Sequence, residues 1–247
     1  MRRIWRLPLV SAHILFGALI VLLVFPLCKS GPKRKMKQIW SRCLMGALGI
    51  RLDFQGQLPQ GLLLLVSNHV SWLDIYLINS LHPVAFVSKA DVRNWPLIGW
   101  LAKHNDTIFL QRGSRGHAHV INQEMASVLS DGCPVTVFPE GTTTEGNLVL
   151  HFHGALLQPA LSVGAQLVPL SVRYFEGNTP DKPSLIAAYA GDTSLGQSLW
   201  AIAGSKGLTA RLSILDALVG NDRKVLAVEA RSAIASHLGI SLEQLAR

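Results

Sequence analysis

Five consecutive apolar residues, Leu62-Leu63-Leu64-Leu65-Val66, run directly into Ser67-Asn68-His69-Val70-Ser71-Trp72-Leu73-Asp74. By its length and flanks the run reads as a strand buried on both faces, which requires a sheet covered by helices. Ile75-Tyr76-Leu77-Ile78-Asn79-Ser80-Leu81 reads as the helix that follows. A histidine therefore stands where a buried strand ends, with a carboxylate five residues on. Active-site groups of α/β proteins collect at that end of a strand.

On a regular helix, residues five apart are separated by about 140° around the axis and do not meet. His69 and Asp74 meet if the histidine lies in the turn before the helix and the aspartate in its early turns. Asn68, Ser71 or Asp74 would then cap or charge-match the helix start. A carboxylate accepting the imidazole Nδ1–H fixes the tautomer and leaves Nε2 free to take a hydroxyl proton. That is the base half of a catalytic triad, with the hydroxyl supplied by substrate. A histidine that only caps a helix beside a structurally bonded aspartate has the same spacing, so the pair needs further support.

Support comes from segments in a fixed order: Asp106-Thr107-Ile108-Phe109-Leu110-Gln111-Arg112, then Phe138-Pro139-Glu140-Gly141-Thr142, then Leu167-Val168-Pro169-Leu170. Arg112 follows a short strand, and its planar guanidinium suits a phosphate or carboxylate. Glu140 again stands at a strand end, and Gly141 permits a sharp turn or close approach of a substrate. With the Asn-His-x4-Asp stretch, these four segments resemble the glycerolipid acyltransferase family, best known from bacterial 1-acyl-glycerol-3-phosphate acyltransferases. The resemblance spans about residues 35–215. It implies a single α/β acyltransferase domain, a mixed sheet flanked by helices. It also implies acyl transfer from acyl-CoA or acyl-carrier protein to the hydroxyl of a lysolipid, giving phosphatidic acid when the acceptor is 1-acyl-glycerol-3-phosphate. His69 and Asp74 would be catalytic, and Arg112, Glu140, Gly141 and Thr142 would bind the acceptor. No metal or other cofactor is expected, because a thioester is already activated. Lys89 and the Trp95-Pro96 segment match loosely the family's cleft-lining basic residue and Pro-x-x-Gly helix.

Position 143 departs from the family. Many phosphate-acceptor members carry arginine after Gly-Thr, where this chain has Thr143, and Glu145 adds negative charge nearby. A lyso-ornithine lipid acceptor is therefore the alternative to a phosphate. A membrane-bound acyl hydrolase ranks lower, since no Gly-x-Ser-x-Gly elbow is present, and a non-catalytic lipid-binding protein ranks lower still.

Residues 7–28 carry no formal charge, and about 20 such residues suffice to span a bilayer. Arg2, Arg3 and Arg6 precede them, and Lys29, Lys33, Arg34, Lys35, Lys37 and Arg42 follow, which favours a cytoplasmic C-terminal side. A cleaved signal peptide would leave a lysine-rich mature end. A helix lying in the interface, with the basic run on lipid head groups, is the other membrane reading. Residues 1–34 are expected as membrane anchor and basic flank, and 35–247 as the catalytic domain, at the cytoplasmic face of the inner membrane. The net charge of +8 and the 49% apolar content agree with a membrane partner. Nucleic acid is disfavoured, because no basic stretch interleaves with aromatics.

Helices are expected over 36–48, from about 114 to 129, over 155–163, within 191–207 and over 222–237. Strands are expected at 51–54, 84–88, 107–110, 134–138, 167–174 and 211–215. His117 and His119 face different directions on a helix and read as surface residues. His151-x-His153 lacks further ligands at metal spacing. Cys28, Cys43 and Cys133 have neither disulfide nor metal spacing, and Cys133, before a buried strand, reads as an inert thiol.

Overall fold

The computed structural model describes residues 1–110, 115–177, 179 and 182–241, the stretch 115–119 by its backbone alone. In chain order the elements are α1 (Arg2–Leu23), α2 (Ser30–Ala47), β1 (Ile50–Gln55), β2 (Leu63–Ser67), α3 (Leu73–Leu81), β3 (Ala85–Lys89), α4 (Ile98–Lys103) and β4 (Thr107–Leu110). They continue with α5 (Arg115–Ser130), β5 (Val135–Val137), α6 (Gln158–Val163), β6 (Gln166–Glu176), α7 (Leu195–Gly204), β7 (Leu208–Ile214) and α8 (Arg223–His237). The strands form one sheet in the order β1-β7-β6-β2-β5-β3-β4. Neighbours run parallel except β6 and β7. The mixed sheet flanked by helices expected from the sequence is the fold.

Every residue of β2 is buried. Leu63 and Leu65 pack on one face with Leu44, Met45, Leu73 and Leu77. Leu64 and Val66 pack on the other with Met125, Leu129, Ala230 and Ile234. A central strand with helices on both faces has no polar side, which is why its sequence is a continuous apolar run.

The two strands at the centre differ in length, and the difference makes room for the site. β2 stops at Ser67, opposite Leu170. β6 runs on to Glu176 with its other edge paired to β7. The edge that β2 leaves uncovered is taken by Asn68, whose amide donates to Val172 O at 3.0 Å and accepts from Val172 N–H at 2.8 Å. The side chain thus imitates one more residue of β2. Pro169 sits just past the last β7 pairing, where its carbonyl accepts from Leu215 N–H at 3.0 Å. Its missing N–H falls in that irregular section and removes no ladder bond.

Helix α2 begins at Ser30, so the expected boundary at residue 34 falls inside it. The expected 155–163 helix is split into a tight turn, Gly154–Leu157, and α6. Pro159 lies in the first turn of α6, where a missing N–H is tolerated. α8 starts as its sequence suggests, with Asp222 accepting from the N–H groups of Lys224 and Val225.

Helix α1 is docked along the domain. Arg2 and Arg6 donate to Ser205 O, each at 3.0 Å, and Arg3 donates to Trp200 O at 2.9 Å. These cations meet the carbonyl-rich end of α7, where positive charge is favourable. Midway, Trp40 Nε1–H of α2 donates to His13 O at 3.2 Å, and the two rings stack at 4.7 Å. A Cβ at Gly17 would lie 2.3 Å from the Trp40 indole nitrogen, so glycine is what allows this approach. Near its end, Leu15, Ala18, Leu19 and Leu22 line an apolar groove with Trp100 of α4.

Asn68→Ala would leave a buried N–H and a buried C=O of Val172 unpaired, each worth roughly 1–3 kcal/mol. Urea unfolding of the detergent-solubilised protein is expected to show a loss of about 2–4 kcal/mol. A loss below about 0.5 kcal/mol would mean that water satisfies Val172 and that Asn68 does not extend the ladder.

Candidate active site

His69 lies in the turn between β2 and α3, and Asp74 in the first turn of α3. This is the placement that lets residues five apart meet. Their distance, His69 Nδ1 to Asp74 Oδ2, is 2.8 Å. The same oxygen accepts the N–H groups of Val70 at 2.8 Å and Ser71 at 3.1 Å, so it satisfies the approach to the helix as well as the imidazole. The other oxygen, Oδ1, accepts the hydroxyl of Tyr174 at 2.7 Å. Asp74 has no exposed surface, whereas the His69 side chain is 19% exposed. With the carboxylate taking Nδ1–H, Nε2 is the nitrogen left for a substrate.

The rest of His69 is held by the segment after β5. Phe138 stacks on the imidazole with ring centres 4.0 Å apart. Glu140 Oε1 accepts His69 N–H at 2.7 Å, and Thr144 N–H donates to His69 O at 2.9 Å. Glu140 Oε2 accepts Leu150 N–H at 2.8 Å. Both carboxylate oxygens of Glu140 thus meet backbone, and the residue is only 5% exposed. Arg231 of α8 donates to Val149 O at 3.1 and 2.9 Å, which fastens the far end of the same loop. Burial pushes the Glu140 carboxyl up to about 7; the backbone donors and Arg231 oppose the rise, and the charge of Asp74 adds to it.

Gly141 turns the chain with φ of 68°, where a side chain would be strained. Thr142 is exposed at the turn. The Thr143 hydroxyl donates to Tyr189 O, and Tyr189 N–H donates to Val70 O at 2.9 Å. The segment around Tyr189 therefore joins the His69 turn to the Thr143 loop. Lys89 is exposed at the C-terminal end of β3, the same end of the sheet.

Of the residues expected from the sequence, His69, Asp74, Glu140, Gly141 and Thr142 come together at the C-terminal ends of β2 and β5. Arg112, expected to hold the acceptor's head group, lies outside the described residues, as do the side chains of His117 and His119. His151 and His153 are exposed with rings 5.4 Å apart, and among the described residues no cluster of three or more His, Cys, Asp or Glu could hold a metal ion. Cys133 is buried in the core and its thiol is pushed up by burial, as suits an inert role. The reading missed Tyr174 as a partner of Asp74 and Phe138 as the platform under His69. The one available signal was a hydroxyl-bearing aromatic within a strand most of whose residues are buried.

A partly exposed histidine bonded to a buried aspartate stands at the parallel-strand ends of a mixed sheet. Comparison with known proteins gives the chain its family. The family model described as Acyltransferase matches residues 50–173. A lyso-ornithine lipid O-acyltransferase of Pseudomonas aeruginosa is 37% identical over 82% of this chain and 78% of its own length. A 1-acyl-sn-glycerol-3-phosphate acyltransferase of Neisseria meningitidis is 34% identical over 75% of this chain and 73% of its own. The crystal structure of the 1-acyl-sn-glycerophosphate acyltransferase PlsC from Thermotoga maritima shares the fold, with a TM-score of 0.67, 21% identity and 97% coverage of both chains. The chain belongs to the acyltransferase family and is an acyltransferase.

The position of Glu140 has a consequence for stability. Its carboxyl titrates near 4.5 in the unfolded chain and near 7 in the folded one. Below pH 4.5 both states are protonated; between 4.5 and 7 only the unfolded chain ionises, so this group's contribution falls as pH rises, by about 3 kcal/mol in all. Glu140→Gln removes that slope. The unfolding free energy of the variant relative to the wild type is expected to climb from pH 4.5 to 7 and stay level above. Parallel pH dependences in the two proteins would show that Glu140 is ionised throughout.

Proposed function

We propose that this enzyme transfers a fatty acyl group from a thioester, acyl-CoA or acyl-carrier protein, to the hydroxyl of a lysolipid. The observation that carries the reading is the His69–Asp74 pair, bonded through Nδ1 and open to solvent at the imidazole. His69 Nε2 takes the acceptor hydroxyl proton as the oxygen attacks the thioester carbonyl. Asp74 stabilises the imidazolium that forms. Collapse of the tetrahedral intermediate breaks the C–S bond, and the departing thiolate takes the proton back from His69. Glu140 supports this reading as a strut for the His69 backbone, while Gly141 and Thr142 edge the acceptor's approach and Arg112 is the cation for its head group.

Between the two acceptors, the Thr143 loop favours lyso-ornithine lipid. Thr143 donates its hydroxyl to Tyr189 O, and neither it nor Glu145 offers a positive charge to a phosphate. Relatives acting on 1-acyl-glycerol-3-phosphate support the other acceptor as the second reading, with phosphatidic acid as product. Labelled acyl donor and the two lysolipids, supplied separately to the solubilised enzyme, are expected to give product from lyso-ornithine lipid. His69→Ala should lower turnover about 10²–10⁴-fold without unfolding the protein. Product from lysophosphatidic acid alone would reverse the acceptor assignment, and retained turnover in folded His69→Ala would sink the mechanism.

The membrane reading that agrees with the packing is the interfacial one. α1 contacts the domain near its start, its middle and its end, yet Trp5, Leu9, Phe16 and Leu23 are exposed along its other flank. A helix so placed lies along the domain and offers an apolar stripe to one leaflet, with the basic run of α2 near the head groups. Reporter tags at the two chain ends are both expected on the cytoplasmic side. A periplasmic N-terminus would show that α1 spans the membrane.

A further inference from the structure

The two oxygens of Asp74 have unequal duties. Oδ2 serves His69 Nδ1–H and two backbone N–H groups, all from the turn that the aspartate itself closes. Oδ1 takes a single described donor, the hydroxyl of Tyr174, from a strand a hundred residues away. Tyr174 is 1% exposed, among the largest fully buried side chains. Two residues before it on β6, Val172 holds Asn68 through both backbone groups. One short piece of β6 thus grips the residue before His69 and the carboxylate behind it.

We propose that Tyr174 is a positioning residue of the acyl-transfer reaction, its hydroxyl fixing the Asp74 carboxylate and thereby setting the orientation and proton affinity of His69. The inference rests on His69 being the base. A hydroxyl donated to a carboxylate draws off part of its charge and stops it rotating. Without that donor, Oδ1 is left buried and unpaired, and more of the negative charge faces the imidazole. The imidazolium is then favoured, so the base keeps its proton to a higher pH. Burial, and then the charge of Asp74, hold the phenol well above its ordinary range, so it remains a donor wherever the enzyme works.

The test is the pH profile of kcat/KM for wild type and Tyr174→Phe, with labelled acyl-CoA and the lysolipid that serves as acceptor. The variant should lose about tenfold in kcat, the equivalent of one hydrogen bond, with the acceptor KM unchanged. Its acid limb should move up by about half a pH unit. In an Asp74→Asn background the same substitution should add almost nothing, because the two residues act as a unit. 3-Fluorotyrosine at position 174 keeps the ring and donates more strongly, so it should move the limb down; it also serves if the phenylalanine variant does not fold. A limb that stays in place in both proteins, or an equal loss in both backgrounds, would overturn the inference. Activity in His69→Ala would instead overturn the base reading beneath it, so the two failures are distinguishable.

Discussion

A carboxylate without exposed surface is costly in a protein interior unless its lone pairs are filled. Asp74 fills them from three sources: the imidazole, the two backbone N–H groups of its own turn, and a tyrosine from β6. Each source constrains a different part of the chain. The backbone donors require the turn after β2 to be tight, the imidazole must point back over α3, and β6 must reach past the end of β2. The ion that orients the histidine also ties together the elements around it.

The mixed sheet follows from the same requirement. If β6 ended level with β2, neither Val172 nor Tyr174 would reach the turn. The antiparallel pairing with β7 supplies the second edge that lets β6 extend as an ordered strand. Asn68 then finishes the uncovered edge with a side chain where a backbone would otherwise be needed.

Much of this was legible in the residues. The run from Leu62 to Val66 specified a strand covered on both faces, and the polar stretch after it specified where that strand ends. The meeting of His69 and Asp74 was legible only as a condition, that the histidine stand in the turn before α3 and the aspartate in its first turn, and the structure meets that condition. The tie to Tyr174 was not legible, because a contact across a hundred residues depends on strand order, and strand order is not written in local periodicity. The Glu140 carboxylate was placed at the right strand end, but its direction was not legible: a glutamate beside a glycine turn has the same local pattern whether it faces a ligand or the backbone of another turn. The long apolar stretch near the start read first as a bilayer span, with an interfacial helix as a further alternative. Only the guanidinium contacts to α7 and the Trp40 seat at Gly17 reveal that the domain holds it along its length.

The division of labour around His69 bears on how such a site changes its acceptor. Asp74, Phe138, Glu140 and Thr144 each contact His69 directly, and Asn68 anchors the residue before it to Val172 of β6. A change at any of them disturbs the setting of His69. The exposed rim is different, since Thr142 is exposed and Thr143 bonds to the separate Tyr189 segment. A cation placed at position 143 would have to leave the Tyr189 carbonyl and point outward, a local rearrangement that leaves the Glu140 and Thr144 bonds to His69 in place. Under the proposed function, the rim is where the acceptor can change without loosening the His69–Asp74 pair beneath it.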